Sequence, residues 1–292
     1  MTYDDLNRPL VVVDPRTASS INSRRPNQSY LRQVRADKAV GNSIYHALQS
    51  KLERRMSKGV TFLAAYTYSK SISGPSDIGG QVGGGSFIGS PQDYYNMKSD
   101  RAVSGFDVTQ RFVQTVLWDI PFAHNLRGVS QKVLDGWQVS TIMTVQSGFP
   151  AGIGYGVDTT GTGIGSRPDM LAGVSGNLSS DKRTYQKWFN TDAFAYQYGG
   201  QSFFGRFGSA PRTNAIRLPG VITADFSIHK QVKFKESRSI EIRSEFFNLF
   251  NHYNPDPGTV DLGIRNKTFG TIGGGVQGIT TRVIQLGAKL NF

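Results

Sequence analysis

Few residues in this sequence have the types and spacing that catalysis requires. The run GGGVQG at 273–278 matches the glycine spacing of a dinucleotide-binding turn. Such a turn must follow a strand and open a helix, because the helix N-terminus holds the pyrophosphate. The residues after it, ITTRVIQLGAKLNF at 279–292, instead alternate between apolar and polar types, as a strand does. We therefore interpret 273–278 as a glycine-rich turn and expect no cofactor there.

The titratable side chains indicate no reaction either. The chain has no cysteine, and no metal-ligand spacing relates its four histidines, which are His46, His124, His229 and His252. Asp225 and Glu241 could form a carboxylate pair for acid–base chemistry across a hairpin. However, Arg243, Lys233 and Glu245 have the same strand parity, so the charges of this row compensate one another. The sequence predicts a protein that is not an enzyme and that holds no metal or cofactor.

The net charge of +12 raises the question of nucleic-acid binding. The 33 lysine and arginine residues are spread along the chain, and the densest cluster is Arg54 and Arg55 beside Lys51 and Lys58. Neither a basic helix nor zinc-finger spacing accompanies them. We expect no nucleic-acid partner, because scattered cations suit a water-filled lumen or anionic lipid head groups at least as well.

Strand-like alternation is the dominant pattern, and it recurs over 60–69, 137–149, 222–233, 240–246 and 284–292. One parity is apolar and aromatic, which predicts a surface toward lipid and an interfacial girdle. Its candidates are Phe62, Tyr66, Tyr68, Trp137, Phe226, Phe246 and Phe250. The other parity is polar, which predicts a surface toward a water-filled lumen. Its candidates are Asp225, His229, Glu241, Arg243, Glu245 and Lys289.

Strand length then separates two all-β classes. These segments extend over about 10 to 14 residues, whereas strands of globular proteins average about five or six. A tilted strand that crosses a bilayer needs roughly 9 to 11 residues. A secreted β-sandwich, the alternative, would have shorter strands and a second face in water. We predict a partial transmembrane antiparallel β-barrel, with about nine or ten long strands.

The connections predict an orientation. The turns at 57–59 and 235–237 are short, whereas 74–105 and 151–218 are long and rich in Gly, Ser, Asn and Asp. Outer-membrane barrels have short periplasmic turns and long extracellular loops, which assigns the two ends. We predict an irregular segment over 1–23, and its start, MTYDDLNRPLVVVDP, has acids where a secretion signal has bases.

Several blocks within 24–292 resemble, in the same order, the barrel of Oar-like TonB-dependent transporters of the carboxypeptidase regulatory-like domain-containing type. The blocks are YHALQSKLERRMSKGVTFLAAYTYSKSI (45–72), PQDYYNMKSDRAVSGFDVTQRFV (91–113), GWQVSTIMTVQSGFP (136–150), WFNTDAFA (188–195), FGSAPRTNAIRLPG (207–220) and EFFNLFNHYNP (245–255). Phe292 is similar to the terminal aromatic of that family, which the barrel-assembly machinery recognises as an assembly signal.

This resemblance implies the C-terminal portion of a barrel of about 22 strands, surrounded by outer-membrane lipid. It implies uptake of a bulky, scarce solute of unknown identity. We identify no plug and no TonB-contacting segment in the sequence, so TonB would act only through upstream parts.

Such a portion would leave two strand edges unpaired, so we expect an open sheet that is not active alone. The alternative is an outer-membrane barrel fragment with an adhesive or surface-structural role, in which the loops 74–105 and 151–218 are the binding surfaces.

Overall fold

The structure is a computed structural model that describes residues 2–30, 33–38, 41–75, 91–121, 127–163, 165–195, 204–235 and 238–292. Its strands are β1 (Thr2–Asp5), β2 (Arg35–Lys38), β3 (Ser43–Ser57), β4 (Val60–Ser73), β5 (Ala102–Val103), β6 (Gln110–Asp119), β7 (Trp137–Gln146), β8 (Pro150–Ala151), β9 (Asp169–Met170), β10 (Phe194–Ala195), β11 (Ile216–Arg217), β12 (Val221–Lys235), β13 (Arg238–Phe247) and β14 (Val283–Asn291). The α-helix α1 spans Gly128–Leu134. Single 3₁₀ turns span Asn22–Arg24, Met97–Asp100, Ser180–Lys182, Thr191–Ala193 and Pro257–Thr259. None of the helices formed by these residues has the length and apolar character needed to cross a membrane.

The long strands form one antiparallel sheet in the order β14-β13-β12-β7-β6-β4-β3, and β5 pairs with β4. The shortest of them has 9 residues and the longest 15. The predicted all-β antiparallel architecture is therefore confirmed. The predicted number of about nine or ten long strands is too high for the described residues, which form seven. The described residues of 150–216 and 254–276 form only short strands and turns, because glycine and proline interrupt their apolar runs.

One end of the sheet carries the short connections. The hairpin β3–β4 closes through Lys58 and Gly59, whose φ angles of 52° and 78° belong to a primed turn that matches strand twist. The connection between β6 and β7 contains α1, and 122–126 within it lie outside the described residues. Within the expected turn at 235–237, residues 236–237 also lie outside them. We call this end the short-turn end.

The opposite end, the long-loop end, carries three long connections. The loop body comprises the described residues of 91–109, 147–220 and 248–282. Its core includes Phe189, which contacts Phe194 and Phe269 edge-on with ring centroids 6.1 Å and 5.1 Å apart. The buried apolar side chains of this core are Ala151, Ile153, Phe189, Ala193, Phe194, Ala215, Ile216, Leu218, Val260, Leu262 and Ile272. The long loops therefore pack together, and apolar burial holds them in place.

The N-terminal residues lie against this loop body. The segment 1–23, expected to be irregular, contains one short strand, since β1 pairs with β2. A buried ion pair of 2.9 Å joins Asp5 to Arg25. The backbone N–H of Val13 donates to the carbonyl of Thr160 at 2.9 Å. The Val13 hydrogen bond, together with one from Arg24 to the carbonyl of Gly161, connects the N-terminal residues to the loop body.

Register gives the sheet one polar and one apolar face, because successive strand residues point to opposite faces. His229 pairs with Arg243 and Glu241 pairs with Lys289, so the polar parities of neighbouring strands coincide. The polar face carries Asp225, His229, Glu241, Arg243, Glu245 and Lys289. The apolar face carries Phe62, Tyr66, Tyr68, Trp137, Phe226 and Phe246.

The sheet is open, as expected. Strands β3 and β14 are its edges, and no strand of the described residues pairs with their outer sides. All fifteen residues of β3 are exposed. Backbone groups along such edges cannot be satisfied by lipid. In a bilayer, both edges therefore require further strands.

Candidate functional site

The polar face is a ladder of compensated charges. Nδ1 of His229 lies 3.7 Å from the Glu241 carboxylate, and Nε of Arg243 lies 3.9 Å from that of Glu245. All four side chains are between 23% and 45% exposed. Contacts of this length between solvated groups contribute little stability. The ladder is suited to lining a wet, charge-balanced surface.

Asp225 has a more specific environment than the rest of this ladder. Its carboxylate accepts a hydrogen bond from the backbone N–H of Asn248 at 2.9 Å. Asn248 has a φ of 51°, and its side-chain amide donates to the carbonyl of His252 at 2.7 Å. Asn254 then accepts from the backbone N–H of Ile222 at 2.8 Å and donates to its carbonyl at 3.0 Å. Hydrogen bonds of Asn248 and Asn254 therefore hold the segment after β13 against β12.

The most buried charges lie where the loop body meets the sheet. The Asp100 side chain is fully buried, forms an ion pair with Arg167 and accepts the backbone N–H of Gln92 at 2.7 Å. Arg212 donates to the carbonyl of Asp100 at 2.9 Å and to that of Ser73 at 3.0 Å. Burial lowers the pKa of Arg212, and the Asp100 charge opposes this shift. This network joins the end of β4 to two long loops.

Two further Asp–Arg pairs extend this connection. Asp107 is 1% exposed, and its carboxylate lies 2.9 Å from Nη2 of Arg217. Asp169 forms a second pair with Arg206 and accepts the backbone N–H of Ser209 at 2.9 Å. Burial raises the pKa of Asp169, but the hydrogen bonds from Arg206 and Ser209 outweigh burial, so the pKa lies below its ordinary value. These hydrogen bonds stabilise the anionic form of the Asp169 carboxyl.

Sequence reasoning missed these Asp–Arg pairs. Asp100, Asp107 and Arg217 lie in the blocks 91–113 and 207–220, which were noticed only for their resemblance to a family. The sequence contained one signal for these pairs, which is that charged residues stand alone among Gly, Ser and Pro. Such residues in a loop often have a specific role. Their pairing could not be derived from spacing, because Asp107 and Arg217 are 110 residues apart.

On β12, the apolar face has one exception to its parity, which is Lys230. Its ammonium donates to the carbonyl of Asp135 and lies 5.2 Å from the centroid of the Trp137 ring. A long side chain can cross apolar surface and place its charge beyond it. Elsewhere on this face the rings of Phe226 and Phe246 contact each other at a tilt, with centroids 6.0 Å apart.

Two sequence-predicted aromatic residues lie outside the strands. Phe250 follows β13 in the turn that contains Asn248 and Asn251, and its side chain is 75% exposed. Phe292 follows β14 at the short-turn end and is 92% exposed. The girdle role of Phe250 and the assembly role of Phe292 remain predictions.

Two cavities open beside the loop body. The first, about 510 Å³, lies between the apolar face, at Tyr66, Phe112 and Ile222, and the loop residues Arg183 and Trp188. The second, about 430 Å³, lies between the N-terminal residues and the loop body. In the described part of the chain, no three His, Asp or Glu side chains group as a metal site requires.

A comparison with protein families identifies the class. The model of the family described as "Outer membrane beta barrel domain" matches residues 1–285. The chain belongs to this family, and its location is the outer membrane. No curated protein and no solved structure matches the chain.

Proposed function

We propose that this chain forms part of the barrel of a TonB-dependent, Oar-like outer-membrane transporter or receptor for a bulky, scarce solute. The observation that carries the proposal is an open sheet whose long loops are fixed to one end by buried Asp–Arg pairs. Both edges of such a sheet need further strands in a bilayer. A barrel wider than seven strands could admit a bulky solute.

The anchored loops also support the proposal. A binding surface built on fixed loops loses less conformational entropy on binding than one built on free loops. The blocks 91–113, 207–220 and 245–255, which resemble the Oar-like family, supply the anchoring residues Asp100, Asp107, Arg212, Arg217 and Asn248.

In this proposal the polar face lines the lumen and the apolar face contacts outer-membrane lipid. The barrel-assembly machinery recognises the C-terminal strand with Phe292, and TonB acts through parts of the transporter outside this chain. The protein is not an enzyme, holds no cofactor and has no nucleic-acid partner.

The test compares cells that contain or lack the protein, each with and without TonB. All four strains are grown with a mixture of peptides and oligosaccharides of increasing size, and mass spectrometry measures what disappears from the medium. We expect one class of bulky solute to be depleted only when both the protein and TonB are present.

Depletion that is independent of TonB, or no depletion in any strain, would contradict the transport proposal. A loss of cell attachment to surfaces in strains without the protein, again independent of TonB, would favour the adhesive alternative.

A further inference from the structure

The cavity between the N-terminal residues and the loop body has an unusual wall. Its volume is about 430 Å³, which is in the range of small-molecule sites. Half of its eight lining residues carry polar groups, and these are Arg8, Asp93, Tyr95 and Thr162. The apolar lining residues are Pro9, Leu10, Val12 and Phe207.

Arg8 distinguishes this lining, because its guanidinium is buried and two of its N–H groups are unpaired. The residue is 3% exposed, and within the part of the chain that the structure describes its Nε and Nη2 atoms have no hydrogen-bond partner. The guanidinium carbon lies 4.3 Å from the Tyr94 ring centroid and 4.4 Å from that of Tyr95. The rings stabilise the positive charge, but they accept no conventional hydrogen bond from these nitrogens. A desolvated guanidinium with two free N–H groups is costly unless a ligand satisfies them.

The two unpaired atoms have the geometry to bond one ligand together. Nε–H and Nη2–H form the same edge of the guanidinium plane and point in the same direction. That edge matches the spacing of two carboxylate oxygens, which bind arginine in a bidentate manner. We propose that this cavity binds the carboxylate of a small organic acid through Arg8, with the apolar body of the acid against Leu10, Val12 and Phe207.

The remaining lining residues narrow the ligand class. Asp93, whose carboxylate accepts the backbone N–H of Tyr95 at 2.9 Å, places a negative charge in the cavity. This charge disfavours a dianion, so a monocarboxylate binds better than phosphate. Tyr95 is 63% exposed and covers the guanidinium, so its ring moves aside when the acid enters. The site goes beyond the proposed function, because binding does not require transport.

The experiment measures binding to the full chain, folded in detergent, by isothermal titration calorimetry. The probes are N-acetylphenylalanine, which has one carboxylate and an apolar body, its neutral amide, and inorganic phosphate. We expect the acid to bind about tenfold or more tightly than the amide, because charge-assisted hydrogen bonds are lost in the amide. We expect phosphate at equal concentration not to displace the acid.

Three variants locate the site. Arg8→Gln should abolish the preference for the acid over the amide. Leu10→Trp, which fills the cavity from an exposed position and leaves Arg8 in place, should weaken binding of both probes. Lys98→Gln removes an exposed positive charge three positions after Tyr95 in the chain and outside the cavity lining, and it should leave binding unchanged. Equal binding of acid and amide to the unaltered chain, displacement by phosphate, or equal loss in Lys98→Gln and Arg8→Gln would each overturn the proposal.

Discussion

The carboxylate of Asp107 and the guanidinium of Arg217 meet at 2.9 Å, although 110 residues separate them in the chain. Asp107 shortly precedes β6, and Arg217 shortly precedes β12. The same carboxylate accepts the backbone N–H of Ser71 on β4 at 2.7 Å. The buried Asp107 carboxylate therefore joins two long loops to the end of β4.

Removing this anion should loosen the loop body. Asp107→Ala leaves Arg217 without its partner and a buried N–H of Ser71 unsatisfied, and we expect a loss of roughly 3 kcal/mol. Pulse proteolysis in urea measures the loss as a lower midpoint for cleavage in the loop body. Asp192→Ala is the control, because the pair of Asp192 with Lys187 is exposed and should contribute less than about 0.5 kcal/mol. Equal shifts in both variants would contradict the buried-anchor interpretation.

Gly148 should tolerate no side chain. A Cβ at this position would lie 1.7 Å from the carbonyl oxygen of Leu218, so the backbone of one strand end must move. We expect Gly148→Ala to destabilise the loop body by about 1–3 kcal/mol, as overpacking does. The same urea assay applies. Gly154→Ala, where a Cβ meets nothing within 4 Å, should leave the midpoint nearly unchanged. A similar response at both glycines would show that the close approach of Leu218 to Gly148 does not exclude a side chain.

The two faces of β12 should respond differently to a charge. Phe226 is on the apolar face beside Phe246, whereas the neighbouring Ser227 is on the polar face beside Ser140. If the apolar face contacts lipid near the bilayer midplane, Phe226→Arg should cost roughly 2–4 kcal/mol and Ser227→Arg far less. Reversible folding into lipid vesicles measures both costs. Equal tolerance would refute the assignment of the apolar face to lipid.

Acid should weaken the loop body through Asp169. Its folded pKa lies below the ordinary value of 3.8, because hydrogen bonds from Arg206 and Ser209 outweigh burial. The folded state thus binds fewer protons there, so the stabilisation is complete above the unfolded pKa of about 3.9. It is lost as the pH falls through the folded pKa. Urea midpoints at decreasing pH should therefore decline more steeply for the unaltered chain than for Asp169→Asn. Parallel curves would exclude this carboxyl as a contributor.

The orientation can be tested with single cysteines, since the chain contains none. Asp181→Cys lies in the loop body, and Val129→Cys lies in α1 at the short-turn end, where Val129 is 78% exposed. A membrane-impermeant maleimide added to intact cells should label the first and not the second. After cell lysis both should react, which controls for accessibility. Labelling of only Val129→Cys in intact cells would reverse the predicted orientation.

The sequence by itself determined the sheet and the composition of its two faces. Period-two alternation over 222–233 and 240–246 defines which side chains share a face of each strand. Antiparallel pairing of His229 with Arg243 and of Glu241 with Lys289 then brings equal parities together. Strand length further separated a membrane sheet from a globular one, because bilayer thickness sets the number of residues that a strand needs.

The tertiary structure alone decided what the long loops do. Alternation carries no information in 147–220, where glycine and proline interrupt every run. Nothing in the local sequence relates Asp107 to Arg217 or Arg8 to Tyr95. Those contacts depend on chain segments that meet only after the strands have paired, and pairing of distant charges is decided by three-dimensional distance and burial. The sequence therefore predicted five of the long strands by a local rule, while the loop anchors and the buried Arg8 followed from packing.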